Sequence, residues 1–234
     1  LVNTAERPLW KERIECLRAE EKAIEKKAEE AAAVPLTPKQ VFDIINEIKK
    51  DSTVVATDVG QHQMWAAQYL NFKQNRTFAS SGGLGTMGYG LGAAIGAATA
   101  KKERTVLITG DGSFGMNLNE LATAVTYNLP ITVVLLNNGV LGMVRQWQTL
   151  FYGERYSNTI LGRKTDFMKL ADAFGAKSFR AATPEGFKAA FTEASQGEGT
   201  YVIEVLIDKD EFVLPMLPPG GSIDDIIVSK ERGE

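Results

Sequence analysis

Apolar residues recur along this chain in short unbroken runs, set between stretches of helical spacing. Residues 53–57 (Thr-Val-Val-Ala-Thr), 105–109 (Thr-Val-Leu-Ile-Thr), 131–136 (Ile-Thr-Val-Val-Leu-Leu) and 201–207 (Tyr-Val-Ile-Glu-Val-Leu-Ile) are short and rich in β-branched residues. They read as strands buried on both faces. Weaker strands are expected at 78–81 and 177–181. Between the runs the period changes. Val41, Ile44, Ile45 and Ile48 share one face of a helix reaching about residue 50. Its start is marked by Thr37 at the N-cap, Pro38 at N1 and Gln40 at N3, which together make a capping box. Further helices are expected through residue 69, from the glycine-rich run 82–92 to near residue 100, and at 117–128, 166–173 and 184–195. Residues 139–148 read as a loop or short helix. The alternation predicts an α/β fold: a doubly wound, mostly parallel sheet of about six strands flanked by helices.

The flanks differ from this centre. Residues 1–10 read as an extended lead-in. Residues 11–33 are strongly helix-forming and charged, with only Ile14, Leu17 and Ile24 as a thin apolar stripe. A solvated helix clamped to a neighbouring domain fits that pattern, and Val34-Pro35 ends it. Residues 208–234 contain Pro215, Pro218 and Pro219 and read as a non-helical tail, with one short helix at 222–227. Three parts follow: 1–35 as linker and charged helix, 36–207 as the α/β domain, 208–234 as tail.

Composition narrows the function. The 234 residues are 44% hydrophobic and 24% charged, with net charge −3, enough for one large α/β domain. No long basic patch appears, so nucleic acid is not an expected partner. No apolar run reaches the length of a membrane span, and a cytoplasmic location is expected. One cysteine, Cys16, excludes an internal disulfide framework and a cysteine-ligated iron–sulfur cluster. The first residue is Leu1, not Met, so a fragment, a processed piece or a separate subunit is expected.

The chemistry concentrates at two strand ends. Gly110-Asp111-Gly112-Ser113 follows one buried run and Asn137-Asn138 the next, with one helix between. A βαβ unit makes the strands parallel neighbours, so Asp111 and Asn138 emerge at the same sheet edge. A carboxylate and a carboxamide oxygen there suit a hard cation such as Mg²⁺, which keeps phosphate oxygens in its shell. Either piece alone is also the ordinary content of a tight turn or a loop start. A second motif, Gly83-Leu84-Gly85-Thr86-Met87-Gly88, has the layout of a dinucleotide fingerprint, with Asp111 beyond it. Against that reading, Asp111 sits inside Gly-Asp-Gly, the neighbouring strand ends in Asn-Asn, and glycines continue at Gly90, Gly92 and Gly96. The small residues Ala93, Ala94, Gly96 and Ala97 serve close helix packing. His62, the single histidine, follows a strand end at a helix N-terminus, where anions bind well, and is a candidate donor to a diphosphate.

The motif running from Gly110-Asp111-Gly112 to Asn137-Asn138 resembles the diphosphate-binding motif of thiamine-diphosphate enzymes. Residues 58–67 (Asp-Val-Gly-Gln-His-Gln-Met-Trp-Ala-Ala), 81–90, 141–147 (Leu-Gly-Met-Val-Arg-Gln-Trp) and 214–216 (Leu-Pro-Met) narrow it. With them the chain resembles the catalytic subunit of acetolactate synthase, over about residues 36–228. The resemblance is to the carboxyl-terminal, diphosphate- and Mg²⁺-binding domain. It implies Asp111, Asn138 and the Val140 main-chain oxygen as metal ligands. Val59, Gly60, Gln61, His62, Gly112 and Ser113 would contact the diphosphate, and Gly142 and Met143 would also contact the cofactor. Gly85 would meet the aminopyrimidine, with Met87 wedged beneath the cofactor. Met143, Val144 and Trp147 would line the substrate channel, Trp147 restricting the second oxoacid. By type alone, Met143 and Trp147 are equally ordinary core residues. Gly92 stands where the family often has proline. The implied reaction joins decarboxylated pyruvate to a second 2-oxoacid, pyruvate or 2-oxobutyrate, in branched-chain amino-acid biosynthesis. The pyrimidine-binding domain or subunit, its glutamate and most of an FAD site would lie elsewhere. A homo-oligomer and a regulatory subunit are further implied partners. The alternatives are a module of another thiamine-diphosphate-dependent 2-oxoacid decarboxylase, inactive without such a partner, and, more distantly, an NAD-dependent dehydrogenase.

Overall fold

The structure, a computed structural model, describes residues 8–31, 36–162 and 164–229. It divides into two compact units, Leu1–Pro35 and Leu36–Glu234. The first contains helix α1, Pro8–Ala31. Ile14 and Leu17 on it are exposed, as a solvated charged helix requires. The lead-in at 1–7, the Ile24 side chain and the break at Val34-Pro35 lie outside the described residues. Among the described residues no helix is long and apolar enough to cross a membrane.

The second unit is built on six parallel strands in the order β2-β1-β3-β4-β6-β5. They are β1 Val55–Thr57, β2 Phe78–Ser80, β3 Thr105–Gly110, β4 Ile131–Asn137, β5 Lys177–Ala181 and β6 Tyr201–Leu206. Side chains alternate between two cores. Val106, Ile108, Val134, Leu136 and Ile203 pack with helices α2 (Pro38–Ile48), α3 (Gln61–Tyr69) and α9 (Pro184–Gln196). Leu107, Val133, Leu135 and Val202 pack on the other face. There they meet α4 (Tyr89–Lys101), α5 (Asp111–Asn117), α6 (Leu121–Thr126) and α8 (Phe167–Phe174). Burying each such side chain contributes about 1.5–3 kcal/mol. Covering both faces is why these strands read as unbroken apolar runs.

The capping box at α2 is present: Thr37 Oγ1 accepts from the Gln40 N–H (3.3 Å), and Gln40 Oε1 from the Thr37 N–H (3.0 Å). The helix expected over 117–128 differs from what is found. The chain turns helical at Asp111, directly after β3, then passes through a 3₁₀ turn at Leu118–Glu120 into α6. Gly112 lets the first turn of α5 pack closely, since an added Cβ would lie 3.1 Å from Leu141 Cδ2. Asp111 in that first turn complements the helix dipole. The expected loop or short helix at 139–148 is helix α7, Gly142–Phe151. The tail carries a 3₁₀ turn at Ile223–Asp225 where a short helix was expected.

From β1 the chain goes out to β2 and returns to β3 on the other side. The connections therefore diverge between the carboxyl ends of β1 and β3. Open α/β sheets bind ligands at such a switch point.

Candidate functional site at the carboxyl edge of the sheet

A cleft of about 220 Å³ opens at this switch point. Three segments line it: 59–65 after β1, 110–113 at the end of β3, and 138 with 140–144 after β4, joined by Met87, Leu136 and Ile207. Thus Val59, Gly60, Gln61, His62, Met87, Asp111, Gly112, Ser113, Asn138, Val140, Gly142, Met143 and Val144, singled out from sequence, share one cavity wall.

Gly110 pairs with Leu136, so Asp111 and Asn138 leave the ends of adjacent strands. Asp111 is buried, at 4% exposure. Of the two asparagines, Asn137 is tied to the sheet: its Nδ2 donates to buried Glu204 (2.7 Å), which Arg180 Nε also meets at 2.6 Å. Asn138 faces the cleft. The chain then forms a lone antiparallel bridge, Val140 to Ile160. Its hydrogen bonds belong to the neighbours, Leu141 N–H to Thr159 carbonyl and Leu161 N–H to Gly139 carbonyl. The Val140 N–H and C=O therefore point away from Ile160, and the N–H reaches Asn138 Oδ1 at 3.2 Å. Carboxylate, carboxamide and main-chain carbonyl form a hard oxygen set. Among the described residues no group of three His, Cys, Asp or Glu side chains gathers to offer a different one.

His62 stands edge-on in a slot between two glycines. A Cβ at Gly60 would lie 2.7 Å from its Cε1, and one at Gly110 would lie 2.9 Å from its Nδ1. Gly60 has φ 154°, a further reason for glycine there. The imidazole is 6% exposed, and its Nε2 is buried without a hydrogen-bond partner. Such an orphan at the first turn of α3 calls for a ligand. Burial pushes the His62 pKa down to about 3, only partly opposed by the Asp58 main chain.

That depression has a pH signature. The folded pKa lies below the unfolded value of about 6.5, so the unfolded chain takes up the proton first as pH falls. His62 leaves stability intact above pH 6.5 and erodes it progressively toward pH 3. Buried Asp58, whose carboxyl is raised chiefly by desolvation, acts in the opposite sense over its own range. The difference between proteins isolates the histidine. Without cofactor or divalent cation, the native protein should lose about 2 kcal/mol more than His62→Gln between pH 6.5 and 5. Urea unfolding at the two pH values measures this, and parallel losses would mean that His62 is protonated in the fold.

Asp58 ties the glycine-rich loop to this wall. Its Oδ1 accepts from Gly88 N–H (2.7 Å) and Val59 N–H (3.0 Å). Asn117 Nδ2 donates to the Gly88 carbonyl (3.3 Å). The peptide that starts α4 is thus gripped from both sides, and the Met87 methyl lies 3.7 Å from where a Cβ on Gly112 would stand. Ser113 Oγ donates to the Val59 carbonyl (2.6 Å), joining α5 to the turn after β1. Gly85 stands apart. It is exposed, with φ 63°, and has only Val59 Cγ1 near its open face, at 3.9 Å.

Met143 and Val144 also line a second, wider cavity of about 750 Å³, with Trp147, Gln148, Tyr152 and Arg155. Trp147 packs edge-on against Phe151 (5.4 Å) and is half-buried. It is a wall residue rather than a core residue. The Gln61 side chain turns into the protein, its Nε2 donating to Gln146 Oε1 (3.0 Å) and the Glu211 carbonyl (2.8 Å). At the cleft, Gln61 presents its main-chain N–H in the first turn of α3, and its Oε1 accepts from Asn138 Nδ2 (3.4 Å).

The sequence reading gave no role to Asp58, Gln146 or residues 211–213. Asp58 carried a readable signal: an acid at a strand end before the glycine at 60. Gln146 carried none beyond lying one turn from Gly142.

Residues 58–205 match the family described as thiamine pyrophosphate enzyme, C-terminal TPP binding domain. The chain belongs to this family. The dinucleotide reading of residues 83–88 gives way to it. The chain is 46% identical over 192 residues to the probable acetolactate synthase large subunit of Methanocaldococcus jannaschii, covering 81% of this chain and 32% of that protein. With the acetolactate synthase isozyme 2 large subunit of Escherichia coli it shares 46% over 199 residues, 85% of this chain and 36% of that one. With the mitochondrial acetolactate synthase catalytic subunit of Saccharomyces cerevisiae it shares 45% over 203 residues, 85% and 29%. The chain spans about a third of the length of the curated relatives it matches.

Proposed function

We propose that this chain is the diphosphate- and Mg²⁺-holding part of an acetolactate synthase-like enzyme. That enzyme would condense pyruvate with a second 2-oxoacid, with loss of CO₂, in branched-chain amino-acid biosynthesis. The observation that carries the reading is that Asp111, Asn138 and Val140 line one cleft together with His62, whose Nε2 is buried without a hydrogen-bond partner. A cation's oxygen ligands beside the first turn of α3 on one small wall suit a metal and its diphosphate. Asp111, Asn138 and the Val140 carbonyl would hold Mg²⁺. His62 and the main-chain amides of the first turns of α3 and α5 would meet the diphosphate. When bound, thiamine diphosphate supplies a carbon nucleophile and an electron sink for decarboxylation. The chain's own part is to fix position and neutralise charge, with Met87 held by the Asp58–Gly88 grip and Met143 and Val144 joining cleft to channel.

The reading includes a pyrimidine-binding domain or subunit, a homo-oligomer, a regulatory subunit and a cytoplasmic location. FAD, where the complete enzyme uses it, would sit mostly outside this chain. The second reading is a module of another thiamine-diphosphate-dependent 2-oxoacid decarboxylase. Product analysis separates the two. The intact protein, given pyruvate and 2-oxobutyrate with thiamine diphosphate and Mg²⁺, should release acetolactate and acetohydroxybutyrate. Aldehyde as the sole product would favour the second reading. In the same assay Trp147→Leu should shift the product ratio, since shape contacts of this size discriminate by roughly 1–3 kcal/mol. An unaltered ratio would remove Trp147 from the channel.

A further inference from the structure

Three side-chain amides form a one-way relay out of the cleft. Asn138 Nδ2 donates to Gln61 Oε1 (3.4 Å), Gln61 Nε2 donates to Gln146 Oε1 (3.0 Å), and Gln146 Nε2 donates to the Val213 carbonyl (2.9 Å). Two further bonds fix the polarity. Val213 N–H donates to Gln146 Oε1 (2.8 Å), and Gln61 Nε2 also donates to the Glu211 carbonyl (2.8 Å). An amide has a donor end and an acceptor end. Gln146 meets both the N–H and the C=O of Val213, as a neighbouring strand would, so it cannot reverse without breaking both. Gln61 and Gln146 are 4% and 1% exposed, leaving no water to accept a reversed amide. Gly142 closes on Gln61 too tightly to admit a Cβ. Beside Gln146, Arg145 pairs with Asp210 (2.7 Å) and fixes the same stretch of tail.

We propose that Gln146 is a positioning residue for Asn138, acting through Gln61, and that segment 210–214 thereby belongs to the cation site. This rests on the reading of Asn138 as a Mg²⁺ ligand. The Asn138 oxygen, which also accepts from the Val140 N–H (3.2 Å), can face a cation only while its nitrogen is turned elsewhere, and Gln61 Oε1 is the acceptor that holds the nitrogen. Gln61 Oε1 points that way because its own nitrogen is claimed by Gln146 and Glu211. The relay contains no charged group, so it adds orientation without altering the charge balance between Asp111, cation and diphosphate. It also gives residues 210–214, which form no helix or strand, a reason to be threaded past α3 and α7.

The test is a Mg²⁺ titration of the intact protein in its native assembly at fixed thiamine diphosphate, with binding followed by calorimetry. Gln146→Met and Gln61→Met should each raise the half-saturating Mg²⁺ concentration about tenfold, the usual scale for a group that orients a ligand. The double variant should shift no further than either single one, because both cut one chain. Gln68→Ala removes a bond to the same tail, Gln68 Nε2 to the Leu214 carbonyl (3.1 Å), and leaves the relay untouched. It should leave the Mg²⁺ requirement within about twofold. An unchanged requirement in Gln146→Met, additive shifts in the double variant, or an equal shift in Gln68→Ala would overturn the relay. If Gln146→Met does not fold, Gln61→Met carries the tenfold expectation alone, since Gln146 stays paired with Val213. No Mg²⁺-dependent binding in the unsubstituted protein would overturn the reading of the site itself, and the relay with it.

Discussion

Purified alone with thiamine diphosphate, Mg²⁺ and pyruvate, this chain should form acetolactate roughly 10⁴-fold or more slowly than when joined by a pyrimidine-binding partner. On the proposed reading the cleft would hold a diphosphate and a cation, but the wall for the rest of the cofactor is open. Gly85 and its neighbours face solvent, with Leu84 94% exposed. Val144 in the cleft and Tyr152 in the wider cavity are exposed as well. The carboxylates nearest the loop are already engaged: Asp58 is buried against Gly88 and Val59, and Asp111 stands among the proposed metal ligands. On the proposed reading, a proton relay to the cofactor's ring would come from another polypeptide or domain. Losing general acid–base help costs roughly 10²–10⁴ in rate, and losing the second wall adds the cost of misplacement. The exposed Leu84, Tyr89 and Met116 should also promote self-association. A rate assay with and without the partner, paired with light scattering, reads both effects. Robust turnover by the chain alone would place the missing base within these residues and end the half-site view.

Much of this was readable in the chain because burial on both faces leaves a strong mark. The runs at 105–109, 131–136 and 201–207 each became a central strand, and their parallel pairing followed from the helices between them. The motifs at the two strand ends placed Asp111 and Asn138 together for the same reason: neighbouring parallel strands end side by side. The onset of α5 was missed because Gly110 and Gly112 read as turn residues, whereas here a small residue is what lets the helix start against Leu141. Helix period gave no warning, since seven residues hold barely two turns. The amide relay was invisible for another reason. Gln61 lies 85 residues from Gln146, and Gln146 lies 67 from Val213. Neither glutamine breaks a local pattern, because their partners are supplied by the fold. Asp58 fell between these cases, legible as an acid at a strand end but not as the grip on Gly88.

Asp111→Ala should lower the Mg²⁺-supported affinity for thiamine diphosphate by at least about 100-fold, close to 2.7 kcal/mol, and should make the residual binding indifferent to chelator. Two effects of opposite sign meet at this residue. Its carboxylate is the only charged member of the proposed ligand set, so removing it costs most of the cation's attraction to the site. In the proposed arrangement the same carboxylate would face the diphosphate, and like charges brought together without a cation between them cost several kcal/mol. In the unsubstituted protein chelator should therefore abolish binding, because repulsion remains when the metal is gone. In Asp111→Ala the repulsion is absent. The amides of α3 and α5 should then hold the anion weakly whether or not Mg²⁺ is present. Asn138→Ala breaks the symmetry of the pair: it removes a neutral ligand and keeps the repelling charge. It should also lose Mg²⁺-supported binding but keep its full sensitivity to chelator. Calorimetric titration of the three proteins, each with Mg²⁺ and with chelator, resolves the pattern. An Asp111→Ala protein that binds as tightly as the unsubstituted one and still needs Mg²⁺ would sink the metal assignment. Equal chelator sensitivity in both variants would show that Asp111 does not face the diphosphate.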